Sequence, residues 1–342
     1  MSTEPHADFL RRVVDGGTLD ADQSAIVFGA IMKGRVNESE LAAFLTAQAA
    51  RKPKIAEITG AARAMRAAMT PVAAPAAAID LCGTGGDGKG TLNISTAVSI
   101  VVAACGVPVA KHGNRNMSSK TGAADVLEAL GVRIDIPPEM ACACLAETGV
   151  CFLFAQTYHP AMKHVAPVRR ALGTRTIFNL LGPLCNPAGA KRQLLGVFAQ
   201  EWLEPLAHVL KALGSEKVWV VHGRDGLDEV TTTDDTFVAA LENGEVATRR
   251  ISPEDANLPR ATLDDIKGGA AAENADAIRR LLEGEPGPYR DIVVLNAAAA
   301  LVVADRAADL RQGAGMAAKV IDSGAARHVL QRLIAVSNGA PR

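Results

Sequence analysis

The sequence carries almost no net charge: 36 Lys and Arg stand against 37 Asp and Glu, a balance of -1 over 342 residues. That excludes the basic excess on which non-specific nucleic-acid affinity rests, so anion recognition has to be local and no nucleic-acid partner is expected. Long apolar runs are missing too. The two longest, 97–110 and 292–304, are rich in Ala and fall short of the roughly 18 residues a membrane span needs. They read as buried elements, with no membrane partner. Residues 1–10 hold Glu4, Pro5, His6 and Asp8 instead of a basic start and an apolar block, so a cytoplasmic protein without a secretory signal is expected. No Cys-x-x-Cys pair occurs. Cys82, Cys105, Cys142, Cys144, Cys151 and Cys185 are scattered and read as reduced, packed thiols rather than redox or zinc groups.

What is present is an ordinary globular composition, 49% hydrophobic and 21% charged, long enough for about two domains at roughly 150 residues each. The first 70 residues alternate helical periods with polar breaks, and Asn37-Glu-Ser-Glu40 has the cap-then-Glu spacing that starts a helix. Three or four short helices are predicted there, then an Ala/Pro linker over 71–78. Beyond it strands at 78–82, 107–110, 150–154, 193–198 and 218–222 alternate with helices at 95–105, 121–130, 160–172 and 203–213. A hairpin over 237–246 turns at Asn243-Gly244, and Ala-rich helices close the chain. The pattern predicts an α/β fold: a small N-terminal helical domain plus a larger α/β domain with a mostly parallel central sheet. The Gly/Pro/Asn-rich 181–187 reads as a break, so 1–72 with 160–188 is assigned to the helical domain and 73–159 with 189–342 to the α/β domain.

Gly83-Thr-Gly-Gly-Asp-Gly-Lys-Gly-Thr91 follows a predicted strand, and such a run lets backbone N–H groups approach an anion. Gly83, Gly85 and Gly88 match a dinucleotide fingerprint, but no acidic residue follows at the proper distance and 107–115 is basic instead. Gly83 to Lys89 matches a P-loop except that Gly90 displaces the required hydroxyl. Asn93-Ile-Ser-Thr96 opens a helix; capping is the first expectation for it, metal holding the second. Lys111-His-Gly-Asn-Arg115 with Ser118-Ser119 falls at the ligand-binding edge of an open α/β sheet, though a solvated basic turn reads equally well. Asp228-Glu229 follows another strand. Adjacent carboxylates are common in exposed turns, but magnesium takes one or two of them plus phosphate oxygens.

In this order and spacing, Gly83-Thr-Gly-Gly-Asp87, Asn93 to Thr96, Lys111 to Arg115, Arg169 and Asp228-Glu229 resemble the anthranilate phosphoribosyltransferase family. The resemblance extends to Tyr158-His-Pro-Ala-Met-Lys-His164 and Arg175-Thr-Ile-Phe-Asn-Leu-Leu-Gly-Pro183, hence over essentially the whole chain. It implies a nucleoside phosphorylase/phosphoribosyltransferase-like fold, a homodimer, and transfer of phosphoribose from phosphoribosyl pyrophosphate to the amine of anthranilate, a step towards tryptophan. It implies that Gly83, Gly85, Gly86 and Asp87 cradle the pyrophosphate. Thr91, Asn93, Ile94, Ser95, Thr96, Lys111, His112, Gly113, Asn114, Arg115, Ser118, Ser119 and Ala123 would line the rest of that substrate. Gly83, Asn114 and Arg169 would face anthranilate. Ser95, Asp228 and Glu229 would hold magnesium, Mg2+, two ions per subunit. Ala123 departs from the family, which often has serine there, and Asn116-Met117 replaces smaller residues.

The residue chemistry fits. A planar guanidinium at Arg169 can hold a carboxylate with two parallel hydrogen bonds, and Arg170, about 100° round the helix, cannot share its pocket. No general base is certain; His112 is the candidate proton acceptor, with an ordinary hydrogen-bonded histidine as the alternative. Two rivals remain: a pyrimidine nucleoside phosphorylase, disfavoured by Asp228-Glu229 and Arg169, and a non-catalytic nucleic-acid binder, disfavoured by the net charge.

Overall fold

Helix punctuation explains the first layer. The computed structural model describes residues 5–115 and 121–339. It opens on four helices, α1 (Pro5–Val14), α2 (Ala21–Met32), α3 (Glu38–Arg51) and α4 (Ile55–Ala67). Asp20 accepts the Gln23 N–H at 2.8 Å to start α2, and Asn37 accepts the Glu40 N–H at 3.0 Å to start α3, as its spacing predicts. At α4 the cap comes from within: the buried Glu57 carboxylate accepts the Lys54 N–H at 2.8 Å and is met by Arg51.

The sheet has seven strands: β1 (Ile79–Gly83), β2 (Val109–Gly113), β3 (Val150–Phe154), β4 (Arg192–Gly196), β5 (Lys217–Gly223), β6 (Thr236–Glu242) and β7 (Glu245–Ile251). Their order is β3-β2-β1-β4-β5-β6-β7, parallel through β5, with the hairpin β6–β7 added antiparallel. The remaining helices are α5 (Ile94–Ala104), α6 (Ala123–Leu130), α7 (Pro138–Thr148), α8 (Ala155–Tyr158), α9 (Ala166–Leu172), α10 (Phe178–Leu181), α11 (Leu203–Ala212), α12 (Ala271–Leu282), α13 (Pro288–Val303), α14 (Leu310–Asp322) and α15 (Ala325–Ser337). Strand alternation splits the interior. Leu194, Trp219 and Val221 face a core shared with α5, α13 and α15, whereas Leu195, Val218 and Val220 face a second core shared with α1–α4, α9, α10 and α11. No described helix is long and apolar enough to cross a membrane. All six cysteines are free thiols.

Local expectations fail where proline intervenes. The strand expected at 107–110 begins only at Val109, because Pro108 brings no N–H to the ladder. The helix expected over 160–172 is two pieces, a 3-10 turn Pro160–His164 and α9, each with a proline in its first turn, where a missing N–H costs nothing. The helix α7 was not anticipated, although Pro138 at its start and Gly149, left-handed at its end, are the usual signals.

Candidate active site

The chain leaves β1 towards β2 and β3, then returns to place β4 on the other flank of β1. Such a reversal opens a crevice at the carboxyl ends of the strands. Four of the parallel strands, β1, β2, β4 and β5, end on glycine: Gly83, Gly113, Gly196 and Gly223. Close approach marks all four, and two of them meet Asp228. A Cβ on Gly196 would lie 1.6 Å from the Asp228 carbonyl oxygen, and one on Gly83 would lie 2.6 Å from Asp228 Oδ2. The 225–229 turn therefore lies directly over the tips of β1 and β4.

That turn is pinned at both ends. Asp225 accepts the Leu227 N–H at 3.0 Å and the Thr231 hydroxyl at 2.5 Å. Asn296, the lone amide in an otherwise apolar stretch of α13, takes both the N–H and the carbonyl of Val230, at 2.9 and 2.7 Å. Asp228 and Glu229 are thereby held half-buried over the crevice. Asp228 accepts the Gly85 N–H at 2.8 Å. Burial, then the Asp87 and Glu229 charges, push its carboxyl well above the usual range. Burial likewise raises Glu229 to about 7, against the relief it gains from the Ser95 hydroxyl, which donates to it, and from Lys111. Carboxylates crowded this way favour a cation.

The glycine loop closes over these groups. Gly85, Gly86, Gly88 and Gly90 all take left-handed φ, between 65° and 82°, which only glycine adopts freely. Thr84 donates its N–H to Gly196 O at 2.9 Å, and its hydroxyl accepts the Phe198 N–H at 3.0 Å. Thr91 bridges to Lys267. Asn93 does not cap α5, contrary to expectation; its amide donates to Thr121 O and accepts from Asn274 at 2.9 Å, so it ties three segments together. Ile94 and Thr96 turn into the interior, and the Ile94 N–H is spent on Leu92 O.

On β2, buried Lys111 donates to Leu81 O at 2.5 Å, and the His112 N–H donates to the buried Asp80 carboxylate at 3.0 Å. The His112 ring is neutral: burial and the neighbouring His159 lower its pKa to about 3. His159, 5.0 Å away between ring centroids, is lowered by burial to about 4. With Nδ1 3.1 Å from Gly182 O, the tautomer assigned from this bond places the proton on Nδ1 and leaves Nε2 a buried lone pair without a partner among the described residues. Asn114 and Arg115 lie exposed beyond Gly113. Arg115 is turned away from the crevice: it pairs with Asp125 at 2.9 Å and Glu128 at 2.5 Å on α6. The Arg115 charge is thus met locally by two carboxylates. Ala123 begins α6 and packs toward Gly113. Ser118 and Ser119 lie outside the described residues.

Arg169 sits on α9, half-buried, its guanidinium 5.6 Å from the Phe178 ring. Burial lowers its pKa, and it has no hydrogen bond or ion pair to any described side chain. Arg170 is exposed. Arg169 reaches Phe178 on α10, and Gly182, the residue after α10, meets the His112 ring. Sequence reasoning gave no role to Gly196, Asp225, Asn296, His159 or Arg175, although His159 and Arg175 stand in motifs that carry the family resemblance. A lone Asn inside an apolar run was the one local signal available.

Residues 75–327 match the family model described as glycosyl transferase family, a/b domain, and residues 7–69 match glycosyl transferase family, helical bundle domain. An anthranilate phosphoribosyltransferase of Rhodopseudomonas palustris is 58% identical over 331 residues, 97% of this chain and 98% of that one. The crystal structure of the Thermus thermophilus enzyme of the same name superposes with a TM-score of 0.93 at 43% identity, covering 98% of this chain and 100% of that one. The Saccharomyces cerevisiae enzyme, solved with phosphoribosyl pyrophosphate and magnesium, gives 0.89 at 27% identity, covering 98% and 99%.

Proposed function

The chain belongs to the anthranilate phosphoribosyltransferase family, and from that premise we propose how its own residues carry the transfer of phosphoribose from phosphoribosyl pyrophosphate to anthranilate. The observation that carries the reading is the pairing of crowded carboxylates at Asp228-Glu229 with a half-buried Arg169 that has no counter-ion among the described residues. Ser95, Asp228 and Glu229 are hard oxygen donors, as magnesium requires, and among the described residues no three acidic, His or Cys side chains form a complete metal cage. Two ions per subunit, completed by substrate phosphates, fit that set. Bound there, magnesium would neutralise charge on the departing pyrophosphate.

Gly83, Gly85, Gly86 and Asp87 form the cradle for the pyrophosphate, with the unspent N–H groups of Gly86 and Asp87 as its donors and buried Lys111 behind it. The C1–O bond breaks with its electron pair going to pyrophosphate, and the neutral arylamine forms the C1–N bond on a ribosyl centre of oxocarbenium character. Arg169 holds the anthranilate carboxylate in a bidentate grip that aims the ortho amine. His112 Nε2 can accept a hydrogen bond from that amine. Its lowered pKa makes it a weak base, sufficient only once the nitrogen has become a strongly acidic arylammonium.

The division of the chain into 1–72 with 160–188 and 73–159 with 189–342 is supported by Val165, Val168, Phe178 and Leu181, which share a core with α1–α4. Exposed Val14, Ile26 and Ile55 support a homodimer through the N-terminal helices, which light scattering tests. The proposed setting of the reaction is the cytoplasm. The functional test follows loss of anthranilate fluorescence with phosphoribosyl pyrophosphate, with and without magnesium. Magnesium-dependent consumption is expected, and none from folded protein at saturating substrates contradicts the reading.

A further inference from the structure

Arg175 lies between α9 and α10, two and three residues before Ile177 and Phe178, which are rooted in the helical core. Its Nη2 donates to Gly86 O at 2.5 Å, and its guanidinium stacks 4.2 Å over the Phe198 ring, just past β4. This is the one side-chain hydrogen bond to the Gly86 carbonyl among the described residues. On the other side of the same stretch, the N–H groups of Gly86, Asp87 and Gly88 donate to no described residue, whereas those of Thr84, Gly85 and Lys89 are all used.

The 86–87 peptide is trans, so its N–H points opposite to its C=O. Glycines at 85, 86 and 88 leave that peptide little to resist a flip. A flip would turn a carbonyl oxygen, in place of the Asp87 N–H, towards whatever the loop receives, and oxygen repels an anion. Resting on the phosphoribosyl pyrophosphate reading above, we propose that Arg175 is a positioning residue for that substrate: it holds the Gly86 carbonyl outward and so keeps the Asp87 N–H aimed at the pyrophosphate. Phe198 fixes the guanidinium plane, and the helical layer thereby sets the geometry of the anion loop from outside it.

The test compares wild type with Arg175→Ala, Arg175→Lys and Arg175→Met. The expected result for Arg175→Ala is a KM for phosphoribosyl pyrophosphate raised about tenfold, as for a lost charged hydrogen bond, with the KM for anthranilate unchanged. Calorimetric affinity for magnesium pyrophosphate should fall by the same factor, a readout independent of turnover. Lys, which can still donate to the carbonyl, should recover part of the loss. Met, which keeps contact with Phe198 but not the donor, should not, and this variant decides the matter if Ala lowers the melting temperature. Equal losses in both KM values, or unchanged pyrophosphate affinity in the Met variant, overturn the inference. A wild type without magnesium-dependent consumption of anthranilate overturns the functional reading instead, whatever the variants do.

Discussion

The two sides of the crevice differ in the sign of the charge they leave unsatisfied. On the sheet side Asp87, Asp228 and Glu229 crowd together, and burial raises the two that sit on the 225–229 turn. On the helical side Arg169 is half-buried with no counter-ion among the described residues. Elsewhere the molecule pairs such groups carefully: buried Glu57 meets Arg51 and two backbone N–H groups, and Arg115 meets two carboxylates even at the surface. Uncompensated charge in a partly buried site costs stability, and a ligand of opposite sign relieves it. On the proposed reading, the contrast divides the site by chemistry into a half for cations and phosphates and a half for a carboxylate, with the neutral pair His112 and His159 on β2 and beside it.

The comparison can be broken from either side. Glu229→Gln keeps the shape and removes the charge proposed to bind magnesium, so activity should fall by about a thousandfold, on the order of 4 kcal/mol in the transition state, while anthranilate affinity is kept. Steady-state kinetics with a magnesium titration checks this. Arg169→Ala breaks the other half: the KM for anthranilate should rise by roughly thirtyfold, about 2 kcal/mol for a charged hydrogen-bonded pair, with the KM for phosphoribosyl pyrophosphate unchanged.

The histidine pair sharpens the contrast through pH. Both rings are neutral when folded, lowered by burial to about 3 and about 4, and are charged in the unfolded chain below its value of 6.5. The unfolded state then binds more protons, so their contribution is fully present above pH 6.5 and is lost as pH falls towards 4. Each ring should contribute about 1.4 kcal/mol of lost stability per pH unit in that window. Urea unfolding between pH 7 and pH 5 reads it, and His159→Asn should flatten the profile. The smallest effect lies outside both halves: Asn37→Ala should cost about 1 kcal/mol of stability, measured by urea unfolding, and leave both KM values alone.

What could be read in the sequence was local. Caps at Asp20 and Asn37, the strand–helix alternation and the glycine run are written within a few residues, and each has a backbone cause. What could not be read was closure over distance. Nothing near Gly196 announces that the Asp228 carbonyl lies against it, because the two are joined only by the packing of a turn over β1 and β4. Arg115 shows the same limit: its charge was legible, its direction was not, since Asp125 and Glu128 become its partners only when α6 forms. Asn93 looks like a cap by position yet is drawn away by Asn274, 181 residues later. Prolines misled in the opposite sense, moving the start of β2 and dividing 160–172.

The division of the crevice is tested most directly by calorimetry on wild type, Glu229→Gln and Arg169→Ala, titrating magnesium pyrophosphate and anthranilate separately. The account predicts that Glu229→Gln weakens only the first and Arg169→Ala only the second. Anthranilate affinity that survives Arg169→Ala, or falls with Glu229→Gln as far as magnesium pyrophosphate does, would contradict it.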